Sequence, residues 1–187
     1  MNRLLRFATA RQVFDAFPTA ASEIEAKPAD AEPLAFLESL LRGPTPEDGI
    51  SFLAYLLPRR EAVWWACQCI RGIEQPLGEA DNKLIAIAEA WVREPEETNR
   101  QAALRAGERV PLGNSAAWAV LAAAWSGGSM VEGPERLVPP PNYLTAQAVR
   151  AAVLTALARV PMHARAKQLA SSVDSAMKLL RSGGSQA

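Results

Sequence analysis

The chain has 187 residues, with 20 Lys and Arg against 20 Asp and Glu. That length suits one domain with a substantial core, and the balanced charge supplies no net field to draw in nucleic acid, an anionic membrane or an acidic partner. The most apolar stretch, residues 116–125, is half of the roughly 20 residues needed to cross a bilayer, so it reads as a buried helix rather than a membrane span.

Alanine and leucine dominate, β-branched runs are nearly missing, and glycines and prolines fall between segments of helical period. Together these features predict an all-α fold. A first helix over residues 9–17 stops at Pro18. The stretch 18–33 alternates small and charged residues and reads as a surface connection with a weak helical turn over 22–26. A second helix spans 32–42, with Leu34, Leu37 and Leu41 on one stripe, and ends at Gly43. The third opens on Thr45, Pro46, Glu47 and Asp48: a hydroxyl at the N-cap, proline at the first helical position and acid in the first turn. Ile50, Leu53, Ala54 and Leu57 line one side of it and Phe52 and Leu56 the other, so it belongs at the centre.

After Pro58 a fourth helix runs over 59–74. On its wheel Glu61, Gln68 and Arg71 share a narrow polar strip with Trp64 among them and Trp65 at the border, while Val63, Ala66, Cys67 and Ile70 face away. A fifth helix, 78–93, is striped with Leu84, Ile87, Ala88 and Trp91. A sixth, 95–108, is largely polar and is placed on the outside. Ser115 caps a seventh, in which Trp118, Leu121, Ala122 and Trp125 recur at core spacing. A long irregular loop follows, from Ser126, Gly127, Gly128 and Ser129 through Pro134 to Pro139, Pro140 and Pro141. Thr145 caps an eighth helix striped with Val149, Ala152, Val153, Ala156, Leu157 and Val160, and a last helical run covers 162–180 after Pro161. The expected architecture is one domain over residues 1–181 and a flexible tail over 182–187. That domain is a compact bundle of about eight helices, with the third, fourth, seventh and eighth at its centre and the Gly/Pro-rich loop 126–143 packed across them.

Residues with chemical potential are few. His163 is the single histidine and has no cysteine near it, so no metal site and no cofactor are expected. A nucleophilic system would have to join His163 to Cys67 or Cys69 on an apolar helix far away in sequence, and no catalytic residue is named. The two cysteines point to opposite sides of their helix and read as small buried residues of a reducing cytoplasm. The start, with Arg3, Arg6 and Arg11, lacks the apolar run of a signal peptide, which also argues for a cytoplasmic location. Gly127 and Gly128 follow a helix and precede no Lys-Ser/Thr pair, so a helix end and turn explain them better than a phosphate loop. Glu47 with Asp48, and Glu96 with Glu97, sit in first turns where the helix dipole accounts for them.

Arg59, Arg60, Trp64 and Trp65 come nearest to a nucleic-acid surface, but Glu61 and the neutral total argue against one. Five tryptophans stand out in a chain with 6% aromatics. Trp91 and Trp118 read as core, whereas Trp64 lies either under a covering loop or at a partner surface. The candidate contact residues are therefore Arg59, Arg60, Glu61, Trp64, Trp65, Gln68 and Arg71 on the fourth helix, and Trp125, Ser126, Gly127, Gly128 and Ser129 at the start of the loop.

The run 52–67, with Phe52, Pro58, Arg59, Arg60, Glu61, Trp64, Trp65 and Cys67, resembles the signature of an uncharacterised bacterial family, a domain of unknown function. Trp118 through Trp125 to Ser129, and Val138 to Pro141 with Leu144 and Thr145, are similar to the same family in order. The resemblance spans about 34–159 and is least good after Pro161. It implies a small helical protein often encoded near type VI secretion genes. The expected function is then a non-catalytic protein–protein interaction module, an accessory or adaptor that binds a secretion spike-tip protein, an effector or similar. The alternatives are an immunity or regulatory protein that binds a toxin, and a helical binder of small molecules with tryptophans stacked on the ligand.

Overall fold

A computed structural model describes residues 4–111, 113–133 and 137–182. Pro134, Arg3 and all of the expected tail 182–187 except Ser182, which ends the last helix, lie outside the described residues. Ten helices follow one another: α1 (Ala10–Ala16), α2 (Ala20–Glu23), α3 (Pro33–Leu41), α4 (Asp48–Leu56), α5 (Arg59–Ile73), α6 (Glu79–Arg93), α7 (Glu97–Gly107), α8 (Ser115–Ala124), α9 (Leu144–Ala158) and α10 (Met162–Ser182). No strand occurs among the described residues, and the helices form a compact bundle. The stretch read as a connection with a weak helical turn over 22–26 contains α2, a single turn that begins two residues earlier. Such a turn is too short to stand alone. Tertiary bonds hold it: Tyr55 donates to the Glu23 carboxylate at 2.8 Å, and Ile24 beyond the turn is buried.

The centre is built from α4, α5, α8 and α9, with α8 packed on α9, α7 and α6 and α5 packed on α9 and α6. Every residue of α8 except Trp118 is buried, and six of them are alanines. Small side chains let neighbouring helices approach closely on all sides, which explains how so short a helix serves as the axis of the bundle. Trp118 itself is half-buried against the core rather than enclosed by it. Near the start of the chain, Phe14, Phe36 and Phe52 form a ring cluster, with Phe36 and Phe52 edge to face at 5.0 Å between centroids.

Several predicted helix starts are made by other means. Asn114, not Ser115, caps α8, its side-chain oxygen accepting from Ala117 N–H at 2.6 Å. Ser115 lies one residue inside the helix, so its hydroxyl instead donates to Glu74 at 2.6 Å. Thr45 does not cap α4, because residues 45–47 make a turn of their own before the helix. Its hydroxyl donates to Glu25 at 2.9 Å. Thr145 lies within α9 and its hydroxyl donates to the Trp125 carbonyl at 2.9 Å, tying the loop down. Thr9 does cap α1, accepting from Gln12 N–H.

The helix α7 is less external than its polarity predicts. Arg100, Ala103, Leu104 and Gly107 are buried at i, i+3, i+4 and i+7, and they pack against α8. Gly107 sits so close to α8 that an added Cβ would fall 2.5 Å from the Leu121 side chain.

Candidate functional site

The polar strip of α5 is largely occupied by the fold itself. Arg60 donates from Nε to the Val92 carbonyl at 2.6 Å and from Nη2 to Arg93 at 3.3 Å, closing the C-terminus of α6. Arg71 forks onto both oxygens of Glu89, at 2.7 and 2.9 Å, and reaches Asn82 at 2.8 Å. Both arginines therefore fasten α6 to α5. Glu61, Trp64 and Gln68 are half-buried between these ties. Trp64 packs against the core on one side and keeps some exposure on the other.

Trp65 requires a correction. It is fully buried, and its indole N–H donates to the Ser172 carbonyl of α10 at 2.8 Å. A large aromatic at the edge of a polar strip is expected at a surface only if no helix covers that edge, and α10 covers it. Trp65 is thus removed from any contact surface of the folded chain. Cys67 and Cys69 are likewise buried and unpaired. Burial pushes both thiols up, Cys69 to about 11, which disfavours the nucleophilic thiolate.

The loop after α8 is held by two arginines from different helices. Arg59, at the start of α5, donates to the Ser126 carbonyl at 2.9 Å and to Asn142 at 3.3 Å, bridging both ends of the loop. Arg100 of α7 donates from one nitrogen to the Ala124 and Ser129 carbonyls at 2.8 and 2.9 Å, while its other nitrogens engage Glu97. Ser129 is buried, and its hydroxyl accepts from the Val131 and Val138 amides, both at 3.2 Å. Met130 N–H then donates to Val138 O at 2.7 Å, which closes the loop's neck. Of the glycine pair, only Gly128 needs to be glycine: its φ is +62°, and a Cβ there would lie 2.6 Å from the Arg100 guanidinium. Trp125 is half-buried at the foot of the loop, as are Ser126 and Gly127.

Glu97 is more than a helix-start acid. Its hydrogen bonds from Arg100 hold its carboxyl down to about 2. A carboxyl whose folded pKa is depressed stabilises the fold above the ordinary carboxylate range and loses that contribution as pH falls through the folded value. The urea midpoint of the wild type should therefore exceed that of Glu97→Gln at pH 6, and the gap should close between pH 4.5 and pH 2. A gap that stays constant over that window would show that the ion pair contributes nothing.

Sequence reasoning missed a polar network at the junction of α2, α4 and α9. Glu23 accepts from Tyr55 at 2.8 Å and from Gln147 at 2.8 Å, with Arg150 3.6 Å away. Arg150 also donates to Ser51 at 2.9 Å, and Thr19 meets the Tyr55 hydroxyl at 3.2 Å. Burial and the Glu23 carboxylate keep the Tyr55 phenol protonated, well above its usual range. Each of these polar groups has an internal partner, so the network fixes α2 rather than presenting groups to a substrate. Among the described residues no three His, Cys, Asp or Glu side chains gather where a metal ion would bind, and His163 is exposed at the start of α10. No described helix is long and apolar enough to cross a membrane.

With this geometry in hand, comparison with known proteins gives one match: the model of a family of unknown function, DUF6931, fits residues 36–180. The chain belongs to that family. The match takes in most of α10, which the sequence resemblance fitted least well, so the helix over Trp65 is part of the family's common body. No curated protein and no solved structure matches the chain.

Proposed function

We propose that this DUF6931 protein is a non-catalytic interaction module, an accessory or adaptor of bacterial type VI secretion that binds a spike-tip protein or an effector. The secretion context rests on the resemblance of the 52–67 run and the loop to a family encoded near such genes. The observation that carries the interaction reading is the loop. Its neck is fixed by Arg59, Arg100 and Ser129, yet it holds outward two of the exposed large hydrophobic residues, Val131 at 37% and Leu137 at 76% exposure. A neck held by hydrogen bonds before binding loses little entropy on contact, and exposed apolar side chains beside it suit a partner's pocket. The ion pair between Arg105 and Glu132 at 2.6 Å adds a polar rim beside Val131. These features support a contact surface on the outer side of the loop, with half-buried Glu61 and Trp64 of the α5 strip to be tested beside it.

The test is co-expression with each spike-tip or effector protein encoded beside the gene. The double variant Val131→Asp, Leu137→Asp should keep its helicity and urea midpoint while affinity for the partner falls by about 30-fold, the loss typical of an interface hot spot. Undiminished co-purification of the double variant would remove the loop from the interface. Failure of every neighbouring spike-tip and effector protein to bind the wild type would overturn the adaptor reading as a whole.

A further inference from the structure

A cleft of about 610 Å³ opens at the other end of α5, between the α5–α6 turn and the α9–α10 turn. Fifteen helical residues separate it from the Arg59 end of α5, a distance of about 22 Å at the helical rise. Ile73, Leu77 and Val160 give it an apolar side, and its volume falls in the range of sites that enclose a ligand. Its polar groups are unevenly engaged. The acceptors are already bonded: Glu74 receives the Ser115 hydroxyl at 2.6 Å and Arg159 at 3.1 Å, and Asp81 receives the Asn114 amide at 3.1 Å. The cations are only partly engaged. Arg159 contributes one nitrogen to Glu74 and remains half-exposed, and exposed Lys167 makes no ion pair among the described residues.

Two amides sharpen the ligand class. Gln75 and Gln168 each donate from Nε2 to a backbone carbonyl, of Arg71 at 2.8 Å and Gly72 at 3.0 Å. A carbonyl accepts only, so the nitrogens face the backbone and the amide oxygens are left as acceptors. The cleft thus combines cationic donors, amide acceptors and an apolar wall. A carboxylate suits the first, a peptide N–H the second and an aliphatic side chain the third.

We propose that this cleft binds a short acidic peptide segment, with Arg159 and Lys167 receiving its carboxylate and Gln75 and Gln168 its backbone amides. The site is independent of the loop, so its failure leaves the adaptor reading standing and the converse also holds. The test is titration of the isotope-labelled full chain with acetyl-Ala-Leu-Glu-Leu-amide, followed by amide NMR shifts. Gly78, Ala164 and Gln168 should shift together. Replacing the peptide's Glu with Gln should abolish the response, and Lys167→Gln should weaken binding about fivefold, as for one exposed charge pair, without changing the thermal midpoint. Equal binding of the Gln peptide, no shifts at millimolar peptide, or an unaffected Lys167→Gln variant would each overturn the proposal. If N-acetylglutamate alone binds as tightly as the peptide, the cleft is a site for free organic anions and the peptide assignment falls.

Discussion

Replacing Arg100 with Met should lower stability by about 3–4 kcal/mol, because the change strips a charged donor from two buried carbonyls at once. The Arg100 side chain is 4% exposed and Glu97 is 62% exposed. The carboxylate that loses its partner therefore stays in water and costs little, whereas the Ala124 and Ser129 carbonyls are left without their donor. Methionine fills similar space, so most of the loss comes from polarity rather than from a cavity. Urea unfolding gives the magnitude, and hydrogen exchange gives the location. The Val131 and Val138 amides, which depend on Ser129 being held in place, should lose protection before the amides of α8 do. Arg100→Lys should recover only part of the loss, since an ammonium cannot bridge Glu97 and the carbonyls with a planar fork. Full recovery by lysine would mean that charge alone, not the fork, holds the loop.

The second large effect is expected at Gly128. An alanine there meets two costs together: a left-handed backbone, roughly 1–2 kcal/mol for a residue with a Cβ, and overlap with a guanidinium that must break its bonds to Glu97 and two carbonyls to withdraw, commonly about 1–3 kcal/mol. Gly128→Ala should thus destabilise by about 2–4 kcal/mol when the two terms are combined. Gly127→Ala, with nothing within 4 Å of the added carbon and no positive φ, should be close to neutral. The pair is its own control. Equal effects at both positions would locate the requirement for glycine in chain flexibility rather than in the Arg100 contact. In the double variant Gly128→Ala, Arg100→Met the overlap disappears, so the two losses should add to less than their sum.

The helical faces were legible because apolar spacing reports directly on which side of a helix is covered. Leu84, Ala88 and Trp91, or Val149, Ala152, Val153 and Ala156, mark the covered side, and all are buried. What spacing does not report is the destination of an arginine. Arg59, Arg60, Arg71 and Arg100 look alike as charged residues on helices, yet their guanidinium groups end on carbonyls or carboxylates from parts of the chain far apart in sequence or across a turn. For Arg100 a signal did exist: it continues the Ala103, Leu104 and Gly107 stripe by one more step, which places a charge on an inward face and implies a buried acceptor. The Glu23 network gave no such warning. Its members sit in separate elements and come together only through the packing of α2, a single turn whose spacing does not report what it packs on. Trp65 was misplaced for a related reason, since wheel geometry describes a helix alone and α10 arrives from more than 100 residues away.

That late arrival has a consequence for how the protein is made. On the ribosome, α4, α5 and α6 emerge well before α10, and until then the outward side of α5 exposes the Trp65 indole and the Cys69 thiol, which the finished molecule encloses. Ser172 and Ser175 of α10 meet these two groups, and Leu169, Val173, Ala176 and Leu180 of the same helix are buried in the finished bundle. The nascent chain consequently reaches its last stable packing only when synthesis has passed α10. A ribosome stalled a few codons short would hold a sticky, oxidisable intermediate, and this interval is where chaperones have most to protect.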